Sequence, residues 1–133
     1  EENKTIQFGE HLTIDGYGGD EALLDSKEIV LLVLNDLPKK LGMNTLSEAV
    51  VLFAPENAVK DPGGWSGFVV IAESHIAVHT FPRRKFVSAD VYTCKLGMDT
   101  KTIIEYFTEA FKLTDVETNF IKRGTRYPLQ NLI

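Results

Sequence analysis

Apolar and polar residues alternate along much of this chain, which is the pattern of half-buried β-strands. Near the N-terminus the alternation places Ile6, Phe8, Leu12 and Ile14 on one buried face. Glycines and other turn residues separate this run from the later ones. The predicted strands cover residues 5–17, 49–54, 65–73, 76–81, 86–94 and 116–121.

Two segments change to the helical period, with apolar residues three and four positions apart. Ser26 is a good N-cap for the first helix, which runs on to a stop at Gly42. Pro38 lies inside this pattern and predicts a kink, or an end near Leu37. The second helix covers residues 100–112. Its apolar face consists of Ile103, Ile104, Phe107 and Phe111.

The order of these elements, β-α-β-β-β-β-α-β, predicts an α/β (α+β) two-layer sandwich. In this fold both helices cover one face of a mostly antiparallel sheet. No repeat or long linker divides the chain, so residues 1–133 are predicted to form a single domain. The second sheet face also needs cover, and we expect a dimer.

Composition narrows the classes of function. The chain has 133 residues, 44% of them apolar and 25% charged, as expected of an ordinary globular protein. Its formal net charge of −5 argues against nucleic acid as a partner. A single cysteine excludes an intramolecular disulfide framework. No apolar run approaches the ~20 residues of a membrane span and no signal peptide opens the chain, so we expect a cytoplasmic protein.

Residues 72–82 carry the candidate chemistry. Ser74 stands between Glu73 and a histidine, inside an otherwise strand-like run, and His79 follows five residues later. The only cysteine of the chain, Cys94, lies beyond them. A hydroxyl, imidazoles and a thiol are nucleophiles and acid–base groups, so this combination points to catalysis.

The joint pattern resembles the prokaryotic S-adenosylmethionine decarboxylase family. The matching motifs are Trp65-Ser66-Gly67, residues 71–82, Asp90-Val91-Tyr92-Thr93-Cys94 and the opening His11-Leu12 to Gly18, so that the resemblance covers roughly residues 10–124. It implies self-cleavage between Glu73 and Ser74, giving chains 1–73 and 74–133. Ser74 then becomes a covalent pyruvoyl group that forms a Schiff base with the substrate amine. The resemblance also implies a homodimer of processed protomers and no pyridoxal phosphate or metal.

The same resemblance assigns catalytic roles at the matching positions. Ser74 attacks the carbonyl of Glu73, His79 is the acid/base of self-processing, and Ser66 assists it. Cys94 protonates the substrate-derived carbanion after carbon dioxide leaves. These roles are chemically reasonable, because an imidazole exchanges protons near neutral pH and a thiol is a proton donor when its surroundings keep it neutral.

Two positions depart from the family pattern. The family's glutamate after His-Thr-aromatic-Pro, which holds the ribose hydroxyls, is replaced by Arg83, and an aromatic that stacks on adenine is replaced by Lys60. A guanidinium cannot accept the ribose hydroxyl protons. The two altered positions, Lys60 and Arg83, and two nearby aromatic residues, Trp65 and Phe81, are the substrate-binding candidates.

These departures predict decarboxylation of a smaller amino acid. The resemblance implies L-ornithine or L-arginine, which relatives in this family decarboxylate, and a role in polyamine biosynthesis. The alternative is that the basic cluster is a solvated turn, that Trp65 or Phe81 still stacks on adenine, and that S-adenosylmethionine is the substrate. A second alternative is a non-catalytic regulatory partner of an active paralogue.

Overall fold

A computed structural model describes residues 4–57 and 59–133 and confirms the predicted fold class, an α+β sandwich. The strands are β1 (Thr5–Ile6), β2 (Gly9–Tyr17), β3 (Val50–Ala54), β4 (Gly64–Ile71), β5 (Ser74–Phe81), β6 (Phe86–Thr93), β7 (Asp115–Arg123) and β8 (Tyr127–Pro128). The helices are α1 (Glu21–Leu24), α2 (Lys27–Lys40) and α3 (Thr100–Phe111), with a 3-10 turn at Pro82–Arg84.

Six strands form one sheet in the order β3-β4-β5-β6-β2-β7, and every neighbouring pair is antiparallel. A separate two-stranded ribbon joins β1 to β8. The two central strands of the large sheet, β5 and β6, carry the residues that the sequence singled out between positions 74 and 94. Most of the candidate catalytic residues therefore lie on or next to strands that are hydrogen-bonded to a neighbour on both sides.

The helices cover one face of this sheet, here called the inner face. α2 begins at Ser26, whose Oγ accepts the Ile29 N–H at 3.2 Å, and α3 begins at Asp99, which accepts the Thr102 N–H at 3.1 Å. Leucine, isoleucine, valine and phenylalanine side chains meet the helices there, and fully burying each contributes about 1.5–3 kcal/mol. The completely buried ones include Leu12, Ile14, Leu34, Leu37, Ile76, Val78, Val91, Ile103, Phe107 and Phe111.

The other face of the sheet, here called the outer face, carries no helix among the described residues. It presents the alternate side chains of the central strands, which are half-buried or exposed. This agrees with the expectation that the second face needs cover. No helix in the described part of the chain is long and apolar enough to cross a membrane.

The structure differs from the sequence prediction in three details. The first predicted strand is interrupted between Ile6 and Gly9, because its first two residues pair with β8 instead of β6. α1 has only four residues, too few to produce a periodic signal. α2 continues through Pro38 to Lys40, since a proline in the last turn forfeits one hydrogen bond and its carbonyl accepts the Met43 N–H at 2.8 Å.

Candidate active site

The predicted cleavage point lies at the two-residue turn between β4 and β5. Ile71 and Ser74 are paired across this hairpin, so Ala72 and Glu73 form the turn and Ser74 is the first residue of β5. Ser74 has a φ of 155°, a positive value that residues other than glycine rarely adopt. Unusual backbone conformations of this kind cluster at functional sites, where the surrounding structure holds them.

The carbonyl of Glu73 has a directed hydrogen-bond donor. The backbone N–H of Cys94, just after the end of β6, donates to the Glu73 carbonyl oxygen at 2.8 Å. The carbonyl carbon of Glu73 is the atom that the Ser74 hydroxyl attacks in the predicted self-cleavage. A fixed N–H aimed at this oxygen is suited to stabilise the negative charge that develops on it.

The side chain of Glu73 provides a second feature of this turn. Its Oε1 atom is buried and has no hydrogen-bond partner among the described residues. A buried acceptor without a donor costs free energy, so such an atom is expected to receive a donor from another molecule. This oxygen is therefore a candidate acceptor for an N–H group of a substrate.

Cys94 is exposed and begins the loop that leads to α3. Glu10, from the neighbouring strand β2, holds this loop through its carboxylate, which accepts the N–H groups of Gly97 at 3.1 Å and Met98 at 2.8 Å. The loop is also closed by the Lys95 N–H, which donates to Thr93 Oγ1 at 2.9 Å. Cys94 thus has a held backbone and an accessible thiol next to the predicted cleavage point.

Ser66 and His79 form a direct pair on the outer face. They are Cα partners in the β4–β5 register, and Ser66 Oγ lies 2.8 Å from His79 Nδ1. His79 is exposed, while Ser66 is half-buried. The hydroxyl orients the ring through Nδ1 and leaves Nε2 available to exchange a proton.

The structure does not bring the Ser66–His79 pair to Ser74 within one protomer. Ser74 and His79 lie at opposite ends of β5, five positions apart, and ~3.3 Å per position separates their Cα atoms by about 16 Å. Side chains of serine and histidine cannot bridge that distance. The residues predicted to act together are therefore divided into two groups, one at each end of the strand.

A cleft of about 630 Å³ opens beside the His79 end of β5. Phe81 and Lys60, two of the predicted substrate-binding residues, line it. The aromatic walls also include Tyr17 and Phe86, and the polar lining includes Asp61. The Tyr17 hydroxyl donates to Glu117, and this hydrogen bond raises the pKa of Tyr17 to about 12. The cleft combines aromatic walls with polar and charged side chains, a lining that can both pack against and orient a small molecule.

The other two substrate-binding candidates lie elsewhere. Trp65 is not among the residues that line this cleft: its indole N–H donates to the Asp25 carbonyl at 3.1 Å and its ring packs edge-on against Phe53. Arg83 is exposed and lies 3.8 Å from Glu56 in a solvent-facing ion pair. Arg84, which received no role from the sequence, lines the cleft instead.

The sequence analysis missed a polar cluster on the outer face. Asp90 Oδ2 lies 2.8 Å from His11 Nε2 and 3.0 Å from His75 Nε2. Arg123 Nη1 lies 2.7 Å from His11 Nδ1, and its guanidinium stacks 4.7 Å from the centre of the Tyr92 ring. His11 and Asp90 belong to the motifs of the resemblance, but only the strand register brings them to His75.

Comparison with known proteins shows which sequences this chain is similar to. Residues 10–124 match the family model described as S-adenosylmethionine decarboxylase. The chain is 32% identical over 117 residues to the S-adenosylmethionine decarboxylase proenzyme of Caldicellulosiruptor saccharolyticus, covering 88% of this chain and 89% of that protein. It is 32% identical over 116 residues to the proenzyme of the same name from Clostridium botulinum, covering 87% and 94%.

A solved structure gives the same result for the fold. The chain superimposes on the crystal structure of the adenosylmethionine decarboxylase from Aquifex aeolicus with a TM-score of 0.74 and 27% sequence identity. The match covers 96% of this chain and 98% of that one.

Proposed function

The chain belongs to the S-adenosylmethionine decarboxylase family, and we propose that it cleaves its own Glu73–Ser74 bond and then decarboxylates S-adenosylmethionine. Members of this family are carboxy-lyases that use a pyruvoyl group made by self-cleavage, and this chain is such a decarboxylase. The pyruvoyl carbonyl withdraws electrons from the substrate carbon that loses carbon dioxide. Ser74, His79 and Ser66 are assigned to making this group, and Cys94 is assigned to turnover as well.

The observation that carries the proposal is the hydrogen bond from the Cys94 N–H to the Glu73 carbonyl. In the first step Ser74 Oγ attacks the Glu73 carbonyl carbon, and the Cys94 N–H stabilises the negative oxygen that results. Breaking the C–N bond leaves an ester between Glu73 and the Ser74 side chain and frees the Ser74 amino group. Removal of the Ser74 α-proton then expels the Glu73 carboxylate, and loss of ammonia by hydrolysis leaves the pyruvoyl group on chain 74–133.

The proton transfers need a base, and the predicted base, His79, does not reach Ser74 within one protomer. The Ser66–His79 pair lies about 16 Å away along β5. We therefore assign this role to the Ser66–His79 pair of a second copy, packed against the outer face. The substrate cleft beside His79 would then also meet the Ser74 end of the other protomer, so the dimer completes the active site.

Cys94 is assigned a second role in turnover. Its backbone serves the cleavage step, while its exposed thiol, adjacent to position 74, protonates the carbon that has lost carbon dioxide. The two roles use different atoms. They are therefore separable by substitution.

Two features support an amine-bearing substrate with an aromatic portion. The buried Oε1 of Glu73 is an acceptor that an N–H group of the substrate would satisfy. The cleft walls formed by Tyr17, Phe81 and Phe86 suit a nucleobase or a sulfonium group, because aromatic faces attract cations and stack on flat rings. S-adenosylmethionine contains N–H groups, a nucleobase and a sulfonium group. It is also in the names of the relatives at 32% identity.

A second candidate substrate is L-ornithine or L-arginine. It is favoured by Lys60 and Arg83, which stand where the family pattern has an aromatic residue and a glutamate. Asp61 lines the same cleft and is a carboxylate that a cationic side chain would approach. The relatives do not support this narrower specificity, and the exposed Arg83–Glu56 pair agrees with the interpretation of the basic cluster as a solvated turn.

The experiment compares the purified protein with its Ser74→Ala variant. Mass measurement under denaturing conditions should give two fragments for the wild-type protein and one uncut chain for the variant. Carbon dioxide release is then measured from S-adenosylmethionine, L-arginine and L-ornithine in parallel. We expect the wild-type protein to release carbon dioxide from S-adenosylmethionine and from neither amino acid, and the Ser74→Ala variant to release none.

Each other outcome changes the assignment. Release from an amino acid alone would replace the proposed substrate by the second candidate. Fragments from Ser74→Ala would remove Ser74 from the cleavage chemistry. An uncut wild-type protein without activity would favour the non-catalytic regulatory partner.

A further inference from the structure

The hydrogen-bonded cluster on the outer face links four adjacent strands of the large sheet. Its members are His75 on β5, Asp90 on β6, His11 on β2 and Arg123 on β7. Asp90 is the centre, since one of its oxygens meets a ring nitrogen of each histidine at 2.8 and 3.0 Å. Neither the predicted cleavage chemistry nor the proposed turnover uses this cluster.

The protonation pattern of the cluster follows from its donors. Arg123 is a permanent cation that can only donate, so the Nδ1 atom of His11 must accept from it at 2.7 Å. His11 therefore carries its proton on Nε2 and donates it to Asp90. His75 likewise directs Nε2 at the same acceptor oxygen. Asp90 thus receives two N–H donors, and Arg123 selects the tautomer of one of them.

This tautomer argues against a metal site. The three ligand-type atoms of His11, His75 and Asp90 lie within 4.8 Å of one another, which is close enough to surround an ion. A histidine binds a metal through an unprotonated nitrogen, and Nε2 of His11 is the protonated one. The cluster is therefore better suited to hold strands together than to bind a cation.

The position of His75 indicates which part of the chain the cluster holds in place. It follows Ser74 directly, so after cleavage it becomes the residue that carries the pyruvoyl group through its own backbone nitrogen. A new chain end tends to fray unless it is tied down. The side chain of His75 is the first one of the new chain, and its hydrogen bond to Asp90 crosses from β5 to β6, where Cys94 follows the strand end.

We propose that the His75–Asp90–His11 cluster, with Arg123 fixing the His11 tautomer, is a positioning device that anchors the chain end created by cleavage and keeps position 74 beside Cys94. The inference rests on the proposed function, because it requires that the Glu73–Ser74 bond is broken. His75 and Asp90 act here through the backbone of position 74 and are positioning residues. The uncut chain does not need the anchor, because Glu73 still holds Ser74 in the hairpin.

The test uses His75→Leu, which removes the hydrogen bond, and His75→Gln, whose amide N–H reaches a similar position and does not titrate. Thr13→Val is the matched control, because Thr13 is the Cα partner of Asp90 on β2 and lies outside the cluster. Amide hydrogen exchange at residues 75–77 is compared between processed protein and the uncut Ser74→Ala background. Steady-state kinetics are measured with the substrate that the wild-type protein decarboxylates.

In processed His75→Leu, exchange at residues 75–77 should be at least tenfold faster than in processed wild-type protein. Its kcat should fall roughly 10- to 100-fold, as expected of a misplaced reacting group, with KM within about twofold. His75→Gln should recover most of both effects, and Thr13→Val should match the wild-type protein. In the Ser74→Ala background, His75→Leu should leave exchange nearly unchanged.

Three results would overturn the proposal while leaving self-cleavage intact. One is equal exchange and kcat in processed His75→Leu and wild-type protein. Another is the same increase in exchange in both backgrounds, which would make the cluster a general strand contact. The third is a failure of His75→Gln to recover kcat when it is cleaved and folded. A wild-type protein that stays uncut would instead contradict the proposed function, and mass measurement separates the two cases.

Discussion

The two ends of β5 carry different kinds of chemistry. At Ser74 the site is built mostly from backbone groups: the Glu73 carbonyl, the Cys94 N–H 2.8 Å from it, and a positive φ. At His79 it is built from side chains, with the Ser66 hydroxyl 2.8 Å from the ring. In the proposed mechanism, the Ser74 end (the bond end) holds the bond to be broken and a stabilising dipole, and the His79 end (the base end) holds the base.

This difference is the reason for assigning the proposed site to two protomers. A rigid strand fixes the distance between its ends, so no side-chain rotation brings His79 to Ser74. β5 is a central strand of the sheet, and no helix among residues 4–57 and 59–133 covers the outer face that carries the Ser66–His79 pair. A second sheet packed on this face would bring the base end of one copy to the bond end of the other.

The largest expected effect comes from supplying Ser74 and His79 on two different chains of a mixed dimer. His79→Ala alone should lose self-cleavage by about 10²–10⁴-fold, the usual contribution of a general acid–base group. Co-expression with a tagged Ser74→Ala chain should restore cleavage of the His79→Ala chain. The reason is that one composite site in each mixed dimer then contains both Ser74 and His79. The masses of the separately tagged chains measure this directly.

The control for this mixing experiment is a chain that carries both Ser74→Ala and His79→Ala. It supplies a folded partner but no base, so the His79→Ala chain should remain uncut beside it. If Ser74→Ala gives no rescue although mixed dimers are isolated, the base acts within its own protomer and the division of the site between two copies is wrong.

The next effect concerns the bond end and separates the backbone of Cys94 from its thiol. Cys94→Ala keeps the N–H and should cleave within about threefold of wild-type speed, while carbon dioxide release falls roughly 100-fold because the proton donor is lost. Cys94→Pro removes the N–H and should slow cleavage by about 10²–10³-fold, the usual cost of losing one oxyanion donor. Cleavage half-times from gels or mass spectra distinguish the two variants.

Lys95→Pro is the matched control. It places a proline in the same loop and loses the hydrogen bond to Thr93, but it leaves the Cys94 N–H in place. Circular dichroism should show that all three variants are folded. Equal cleavage rates for Cys94→Pro and Lys95→Pro would mean that the N–H of Cys94 does not stabilise the oxyanion.

The fold was largely predictable because its elements have strong periodic signals. Alternation marked the strands of the large sheet, and the predicted cap at Ser26 agrees with where α2 begins. The four-residue helix α1 and the two-residue ribbon strands carry too few residues for a period. The predicted alternative that α2 ends near Leu37 is wrong, since the cost of a proline depends on how many helical bonds follow it.

The sequence motifs named candidate residues for the site, and the structure adds which of them lie together. The motifs identified Ser74, His79, Ser66 and Cys94, and the structure pairs Ser66 with His79 and places Cys94 beside Glu73. The N–H at position 94 could not be found from residue types, because every residue except proline has that group.

The outer-face cluster was missed for a related reason. Its members come from four strands, and hydrophobic alternation within a strand does not determine which residues of neighbouring strands are opposite each other. The antiparallel register places Tyr92 opposite both His11 and His75, with Asp90 two positions along β6. The sequence signal for this cluster was therefore limited to polar residues on alternate positions of strands.

The smallest expected effect concerns Ser66 and tests the base end directly. Ser66→Ala removes one hydrogen bond to His79, and a neutral bond of this kind contributes about 1 kcal/mol, which corresponds to roughly a fivefold loss in cleavage rate. Ser66→Thr keeps the hydroxyl and should recover most of the rate. In mixed dimers with a tagged wild-type chain, Ser66→Ala should slow cleavage of the partner chain while its own bond is cut at normal speed. Slowing confined to its own chain would place the Ser66–His79 pair at the Ser74 of the same protomer, which the geometry of β5 does not allow without rearrangement of the sheet.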